Sequence, residues 1–439
     1  MSFNIGLSGL NAASKNLSVT GNNIANVGST GFKASRAEFA DVYATSMLGS
    51  GSNATGNGVV TAAVAQQFTQ GNITSTGNSL DLAISGNGFF VLSDGGSRAY
   101  TRNGTFHADK DGYVVDSSNN KLQGYGIDAN GAIINGVVTD LVIDASNQLP
   151  NATSSITQKV ALNSTASTPT TTPFDPSATS SYNWSTSVDI YDSQGNSHTM
   201  SQYFVKSDTD SNSWTMYVTI DGRNPEDPTS TVPYNATVNF DASGNLVGTT
   251  SNSTGLTSDI NGVFSLNNWV PATITDSTTN PVTWGTNGAA ASATGVELDI
   301  RGSSQTNTAF AVNTLTQNGY TTGQLSGLSI GADGSMFATY TNGQSKVIGQ
   351  VILATFANMQ GLTPVGGTNW VESYASGEPV IGTPGAGTLG SLTSGALEDS
   401  NVDLTAELVN LIVAQRNYQA NAKTIETEST LSQTIINLR

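Results

Sequence analysis

Apolar side chains follow two different rhythms along this chain. Near the start, Phe3, Leu7, Leu10, Ser14, Leu17, Gly21 and Ile24 alternate steps of four and three. That is the spacing of a coiled-coil seam with small residues at some positions, and it predicts a helix over 3–27. Near the end, Leu404, Leu408, Leu411, Gln415, Tyr418, Ala422 and Ile425 repeat the alternation and predict a second helix over 401–438. Leu431, Ile435 and Leu438 continue it on a displaced stripe, as a stutter would. Asp399 or Ser400 is the expected cap of this helix. At about 1.5 Å per residue the helices would run roughly 37 and 57 Å. A lone amphipathic helix of that kind is marginal in water, so each needs a partner.

Between the ends the rhythm changes to short alternating patches, such as LDLAI, FFVL, YVV and GVVTDLVI, separated by GN, DG, NG and NN turns. These predict strands and hairpins. The fold class expected is mainly β with terminal α-helices, the long N- and C-terminal coiled-coil helices flanking β domains nested one within the other. Residues 1–33 and 397–439 would form the terminal helical core. Residues 71–149 and 319–396 read as two halves of an inner β domain. An outer β domain, 150–318, interrupts it, beginning at Pro150 and running into the Ser/Thr/Pro-rich stretch Asn163–Ser181. Residues 34–70, with the Gly/Ser/Asn-rich Ser46–Gly58, read as a flexible linker.

Charge narrows the functional classes. The net charge is −17, with only 15 Lys and Arg, which argues against tracking a nucleic-acid backbone. Residues 150–318 hold thirteen acidic and four basic residues, more than half of that net charge, which suits a solvent-facing domain. The two ends are opposite in sign. Lys15, Lys33 and Arg36 stand in 1–37 without an acid, whereas 398–439 is acidic on balance, so pairing of the ends with each other or with neighbouring copies is expected. No long apolar run predicts membrane insertion, and the opening MSFNIGLSGL does not read as a cleavable secretory signal.

Recognisable catalytic chemistry is missing from the pattern. There is no cysteine, and the two histidines, His107 and His198, fall in different expected domains and read as solvent-exposed polar residues. His107–Tyr113 and Ser207–Ser213 faintly resemble calcium loops, but Asp- and Asn-rich turns explain both. No metal, cofactor or catalytic residue is expected.

Specific blocks then add a resemblance. NNIANVGSTGFK (Asn22–Lys33) resembles the N-terminal signature of bacterial flagellar rod and hook subunits, carried by Asn22, Asn23, Ile24, Ala25, Asn26, Gly31, Phe32 and Lys33. The segment Ser400–Arg439 resembles the C-terminal helix of hook subunits in particular. Gly71–Leu92 and Tyr100–Tyr125 resemble the β region that rod and hook subunits share, and Ile190–Lys206 resembles an outer domain of hook subunits. Residues 164–181 and most of 245–318 match nothing.

The resemblance implies a structural subunit of a curved helical tube, a universal joint that passes motor torque to the filament. Its terminal helices would line a central channel, with the inner domain as wall and the outer domain as surface. The partners implied are further copies of the chain, a distal rod protein at the base, a hook cap during assembly, a hook–filament junction protein at the tip, and the flagellar export apparatus. The helical faces expected to carry self-assembly are Phe3, Leu7, Leu10, Leu17 and Ile24 with Leu404, Leu408, Leu411, Tyr418 and Ile425. Two alternatives remain: a distal rod subunit, which would be straight and shorter, and a secreted β-rich adhesin or glycan-active enzyme.

Overall fold

A computed structural model of the chain describes residues 2–42, 56–128 and 131–437. Helix α1 spans Ser2–Ala25 and helix α2 spans Leu404–Asn437, about 36 and 51 Å long. The cap of α2 is neither Asp399 nor Ser400. Asp403 accepts the backbone N–H groups of Thr405 and Ala406 at 2.9 and 3.1 Å, satisfying two donors of the first turn. The part of the second stripe assigned to Leu438 lies outside the described residues.

Residues 34–70, expected as a linker, carry a two-stranded antiparallel sheet. Ser35–Asp41 pairs with Val59–Gln66, from Ser35 opposite Gln66 to Asp41 opposite Val59, with a bulge between Glu38 and Phe39. The SRAEFAD and VVTAAVAQ sequences alternate well enough to form strands, a period that the Gly/Ser-rich stretch between them obscured. Most of that stretch, Ser46–Gly58, lies outside the described residues.

The chain divides into two compact units. The first comprises 1–145, 326–339 and 345–439, and the second 146–325 with 340–344. In the first unit, strands from both sides of the interruption interleave in one sheet. Ser345–Val351, Lys121–Ile127, Phe89–Asp94, Ser97–Thr101, Asn369–Val371 and Thr363–Gly366 lie side by side in that order. Phe90 stands opposite Thr101 and Tyr100 opposite Trp370. Phe89, Val91, Tyr100, Ile352, Phe356 and Trp370 form its core, with edge-to-face ring contacts such as Phe89–Trp370 at 5.7 Å. Two short ladders tie in the approach to α2. Ser391–Ser394 pairs with Leu82–Ser85, and Ala396–Glu398 pairs with Ile73–Ser75.

The second unit is built mainly from two sheets, beside a short two-stranded ladder of Ala272–Asp276 with Thr283–Thr286. One is a five-stranded antiparallel meander from Trp184–Tyr191 to Leu246–Ser251. The other is centred on Ser155–Asn163, which pairs in parallel with Val296–Asp299 and antiparallel with Ala311–Gln317. Both sheets share one core, including Ile156, Phe204, Trp214, Phe264 and Leu298. Residues 256–317 therefore belong to this unit.

His198 overturns one expectation. It is buried, only 3% exposed, with Nδ1 2.6 Å from Asp221 Oδ2 and Nε2 3.3 Å from Asp192 Oδ2, and its ring meets Trp269 edge-on. Burial alone would lower its pKa, but the two aspartates outweigh that and raise it. Asn287 and Asn196 donate to the same Asp192 oxygen, at 2.7 and 2.8 Å, and these bonds hold the Asp192 carboxyl below its ordinary value against its own burial. The GNSHT context looked like an exposed hairpin because the aspartates that cover the ring lie in two separate turns. His107 is exposed, as expected.

Candidate assembly surface

Helices α1 and α2 pack against each other, and the seam that joins them is not the predicted one. The contact runs through small residues of α1. A Cβ on Gly6 would lie 3.0 Å from Ile425 Cγ1, and one on Gly9 would lie 2.5 Å from Asn421 Oδ1. Gly6 faces Ile425 while Gly9 faces Asn421, so the helices are antiparallel. Ala13 on α1 and Ala414 on α2 are buried. Gly6, Gly9 and Ala13 recur at helical spacing, so the two backbones can approach closely along that stripe.

The larger apolar residues point elsewhere. At about 100° per residue, Phe3 and Leu7 lie roughly a quarter to a third of a turn from the Gly6–Gly9–Ala13 stripe. Leu404 and Leu408 are displaced similarly from Ala414 and Asn421. Phe3, Leu7, Leu404, Leu408 and Tyr418 are exposed, whereas Leu10, Leu17, Ile24, Leu411 and Ile425 are half-buried. Of the ten, Ile425 reaches the partner helix at Gly6. On the other flank of α1, Ser8 Oγ accepts the Val59 N–H of the two-stranded sheet at 3.2 Å. Helix α2 also exposes Val409, Ile412 and Val413 on the side away from its seam. A helix that is apolar on several faces belongs in an interior, and the single chain covers one of those faces.

The signature Asn22–Lys33 forms a polar junction. Asn23 is buried and clamps Ser35, accepting its N–H at 2.9 Å and donating to its carbonyl at 2.8 Å. Asn26 Nδ2 donates to the Asn22 carbonyl at 2.9 Å and Asn26 Oδ1 accepts from Ser29 Oγ, closing the turn after Ile24 and Ala25. Gly31 has φ +68 and donates its N–H to the Glu398 carbonyl at 2.7 Å. A Cβ there would also lie 2.5 Å from the Asn103 backbone nitrogen, so two requirements select glycine. Phe32 lines a cleft of about 780 Å³ with Phe68, Met359, Leu362 and Trp370.

Lys33 is the centre of the junction. Its Nζ lies 2.6 Å from Glu398 Oε1 and 2.8 Å from the Thr69 carbonyl, wholly buried. Glu398 Oε1 also accepts the Gly71 N–H at 2.9 Å, and Oε2 accepts Arg102 Nη1 at 3.1 Å. Burial pushes Lys33 and Arg102 below their ordinary pKa values, and Glu398 opposes that in each case. Beside them Asn401 accepts the Ala34 N–H at 2.7 Å and donates to the Gln67 carbonyl at 2.7 Å. Arg102, Glu398 and Asn401 escaped the sequence reading. Its one usable signal was the opposite charge of the chain ends, which is realised in the Lys33–Glu398 pair.

Family models match in the same order as these parts: a "Flagella basal body rod protein" model over 3–33, a "Flagellar hook protein FlgE/F/G D1 domain" model over 83–158, a "Flagellar basal body protein FlaE D2 domain" model over 161–320 and a "Flagellar basal body rod FlgEFG protein C-terminal" model over 393–438. The flagellar hook proteins of Escherichia coli and Salmonella typhimurium are 41% and 42% identical over 443 residues, covering 100% of both chains in each comparison. That of Treponema pallidum is 31% identical, covering 99% of this chain and 98% of its own. A crystal structure of a Helicobacter pylori flagellar hook protein shares the fold, with a TM-score of 0.50 at 14% identity, covering 74% of this chain and 100% of its own.

Proposed function

The chain belongs to the flagellar hook protein family and is a structural subunit of the hook, and from that premise we propose that it polymerises through the outward-facing seams of α1 and α2. The observation that carries this reading is the exposure of Phe3, Leu7, Leu404, Leu408 and Tyr418 on helices whose mutual contact already runs through the small residues of α1, against Ile425 and Asn421. Burying one large apolar side chain contributes about 1.5–3 kcal/mol, so a few such seams per subunit are enough to drive association. The subunit has no catalytic role in this reading.

The remaining assignments follow as proposals. The helices would line the tube and the acidic second unit would face solvent, where hydrated polar contacts exchange at little cost. That division suits a joint that bends without opening. A distal rod protein, a hook cap, a hook–filament junction protein and the export apparatus are the partners expected, and export would proceed without a cleaved signal. Among the described residues no helix is long and apolar enough to cross a membrane. Sedimentation before and after salt-induced assembly tests the reading. The intact chain should pellet as polymer while a version lacking 1–33 and 401–439 stays soluble and folded; equal pelleting of both would contradict it.

A further inference from the structure

Residues 272–286 form an arm that belongs to neither large sheet of the second unit. Ala272–Asp276 and Thr283–Thr286 ladder to each other and to no other strand among the described residues. The outgoing leg is rooted in the core by Trp269 and by the Val270 N–H, which donates to the Pro225 carbonyl at 2.8 Å. The return leg, 287–290, is held differently. Asn287 Nδ2 donates to Asp192 Oδ2 at 2.7 Å, the Ser193 N–H to the Ala290 carbonyl at 2.8 Å, and the Ala290 N–H to Ser193 Oγ at 3.0 Å. All three bonds end on Asp192 and Ser193, in the turn whose carboxylate meets His198.

Geometry sets the charge of that ring. Each of its nitrogens faces a carboxylate, and a carboxylate only accepts, so both nitrogens must carry a proton. A neutral imidazole has one N–H, and it stays on Nδ1, because Asp221 is the nearer acid and also grips the ring's own strand through the Thr199 N–H at 2.9 Å. The bare Nε2 then turns a lone pair on Asp192, whose side chain is wholly buried and has lost its cation. The neighbouring charges do not replace it. Asp189 accepts the Thr199 hydroxyl, Glu226 accepts Tyr234 and Asn268, Arg223 lies over the Trp284 ring at 5.0 Å, and Lys206, at the far end of the strand, reaches the Ser164 carbonyl. Trp269 covers the ring edge-on without a charge, and 268–290 carries a single charged residue, Asp276, at the arm's far end. Asp192 can recover its lost partner from water, but its turn is boxed in. Thr153 Oγ1 accepts the Tyr191 N–H at 2.8 Å, and a Cβ on Gly195 would lie 2.8 Å from Pro150 Cβ. The cover that can give way is the return leg.

We propose that His198 is a proton-operated latch: its imidazolium fastens the return leg of the 272–286 arm through Asp192, and loss of the ring proton lets that leg open. The sign follows from the geometry. The latch is shut while both ring nitrogens donate, and it opens as pH rises through the His198 titration, with the outgoing leg still rooted at Trp269. The device lies within one unit of one chain and does not depend on assembly.

With two histidines in the chain, the His198 ring can be titrated by NMR beside the exposed His107 as internal reference. Hydrogen exchange of the intact monomer, read by mass spectrometry and corrected for the intrinsic effect of pH, follows the leg through peptides covering Ser193 and Ala290. Their protection should fall by up to about tenfold per pH unit as His198 loses its proton, while the strands of the meander keep theirs. Asn287→Ala removes the tie and leaves the ring in place, so its leg should be poorly protected already near pH 6 while His198 still titrates. Protection of 287–290 that stays flat through the His198 titration, or an Asn287→Ala leg as protected as the parent's, would overturn the inference. So would a His198 ring that is neutral near pH 6 or that keeps its proton until the unit unfolds.

Discussion

Lys33, Glu398 and Arg102 show how three charges can be buried together. Glu398 neutralises one cation and holds the other, while the Gly71 N–H and Thr69 carbonyl complete the hydrogen bonding. Removing the shared anion should therefore cost more than removing either cation. Glu398→Gln leaves two cations without a counter-charge, and we expect about 3–5 kcal/mol lost from the first unit in urea unfolding. Lys33→Met, which leaves Arg102 to pair with Glu398, should cost clearly less; equal losses would contradict the shared-anion picture. His198 makes a pH prediction for the second unit. Its folded-state pKa is raised above the ordinary value of about 6.5, so its stabilisation is fully present below that value and is lost as pH rises through the folded pKa. The gap in melting temperature between the parent and His198→Asn should accordingly be wide near pH 6 and close toward pH 9. A gap that does not change with pH would show that the ring acts through packing alone.

The helices illustrate what a periodic sequence can and cannot tell. The 4–3 alternation located both of them within a few residues, because amphipathic spacing is set by the chain itself. It could not say which stripe meets which partner. Gly6, Gly9 and Ala13 do not register as an apolar seam, yet small residues allow the closest approach and so take the intramolecular contact. The cap was misplaced for a similar reason, since Asp399, Ser400 and Asp403 are all good caps and only the backbone path selects the last. Gly9→Val should separate the helices, because its side chain would occupy the space of the Asn421 amide. Far-ultraviolet circular dichroism of the monomer should lose helical signal, whereas the neighbouring exposed Leu7→Ala should leave it unchanged. Loss of helicity in both variants, or in neither, would contradict the small-residue seam.

At the scale of the whole molecule, the nested organisation was legible because turn-rich strand texture resumes after the interruption. The structure sets the second unit at 146–325 with 340–344, wider than the 150–318 expected. Isolated bridges explain the difference: Gln148 pairs with Gly323 and Asn151 with Tyr320, long-range contacts that no local pattern announces. The polar junction was equally hidden, since Lys33 and Glu398 are 365 positions apart. The second unit has its own two-sheet core, so replacing 146–325 with a short Gly/Ser link should leave the first unit cooperatively folded. A globally unfolded product would refute that independence.

The central claim is that the outward seams of the helices, and not the β units, drive the chain into a tube. Negative-stain electron microscopy of the intact chain beside Leu408→Asp, under the same assembly conditions, tests it most directly. Leu408 is exposed in the single chain, so the substitution should leave the subunit folded. Curved tubes from the intact chain and only folded monomers from the variant are the result predicted. Tubes of normal yield and curvature from Leu408→Asp would contradict the account.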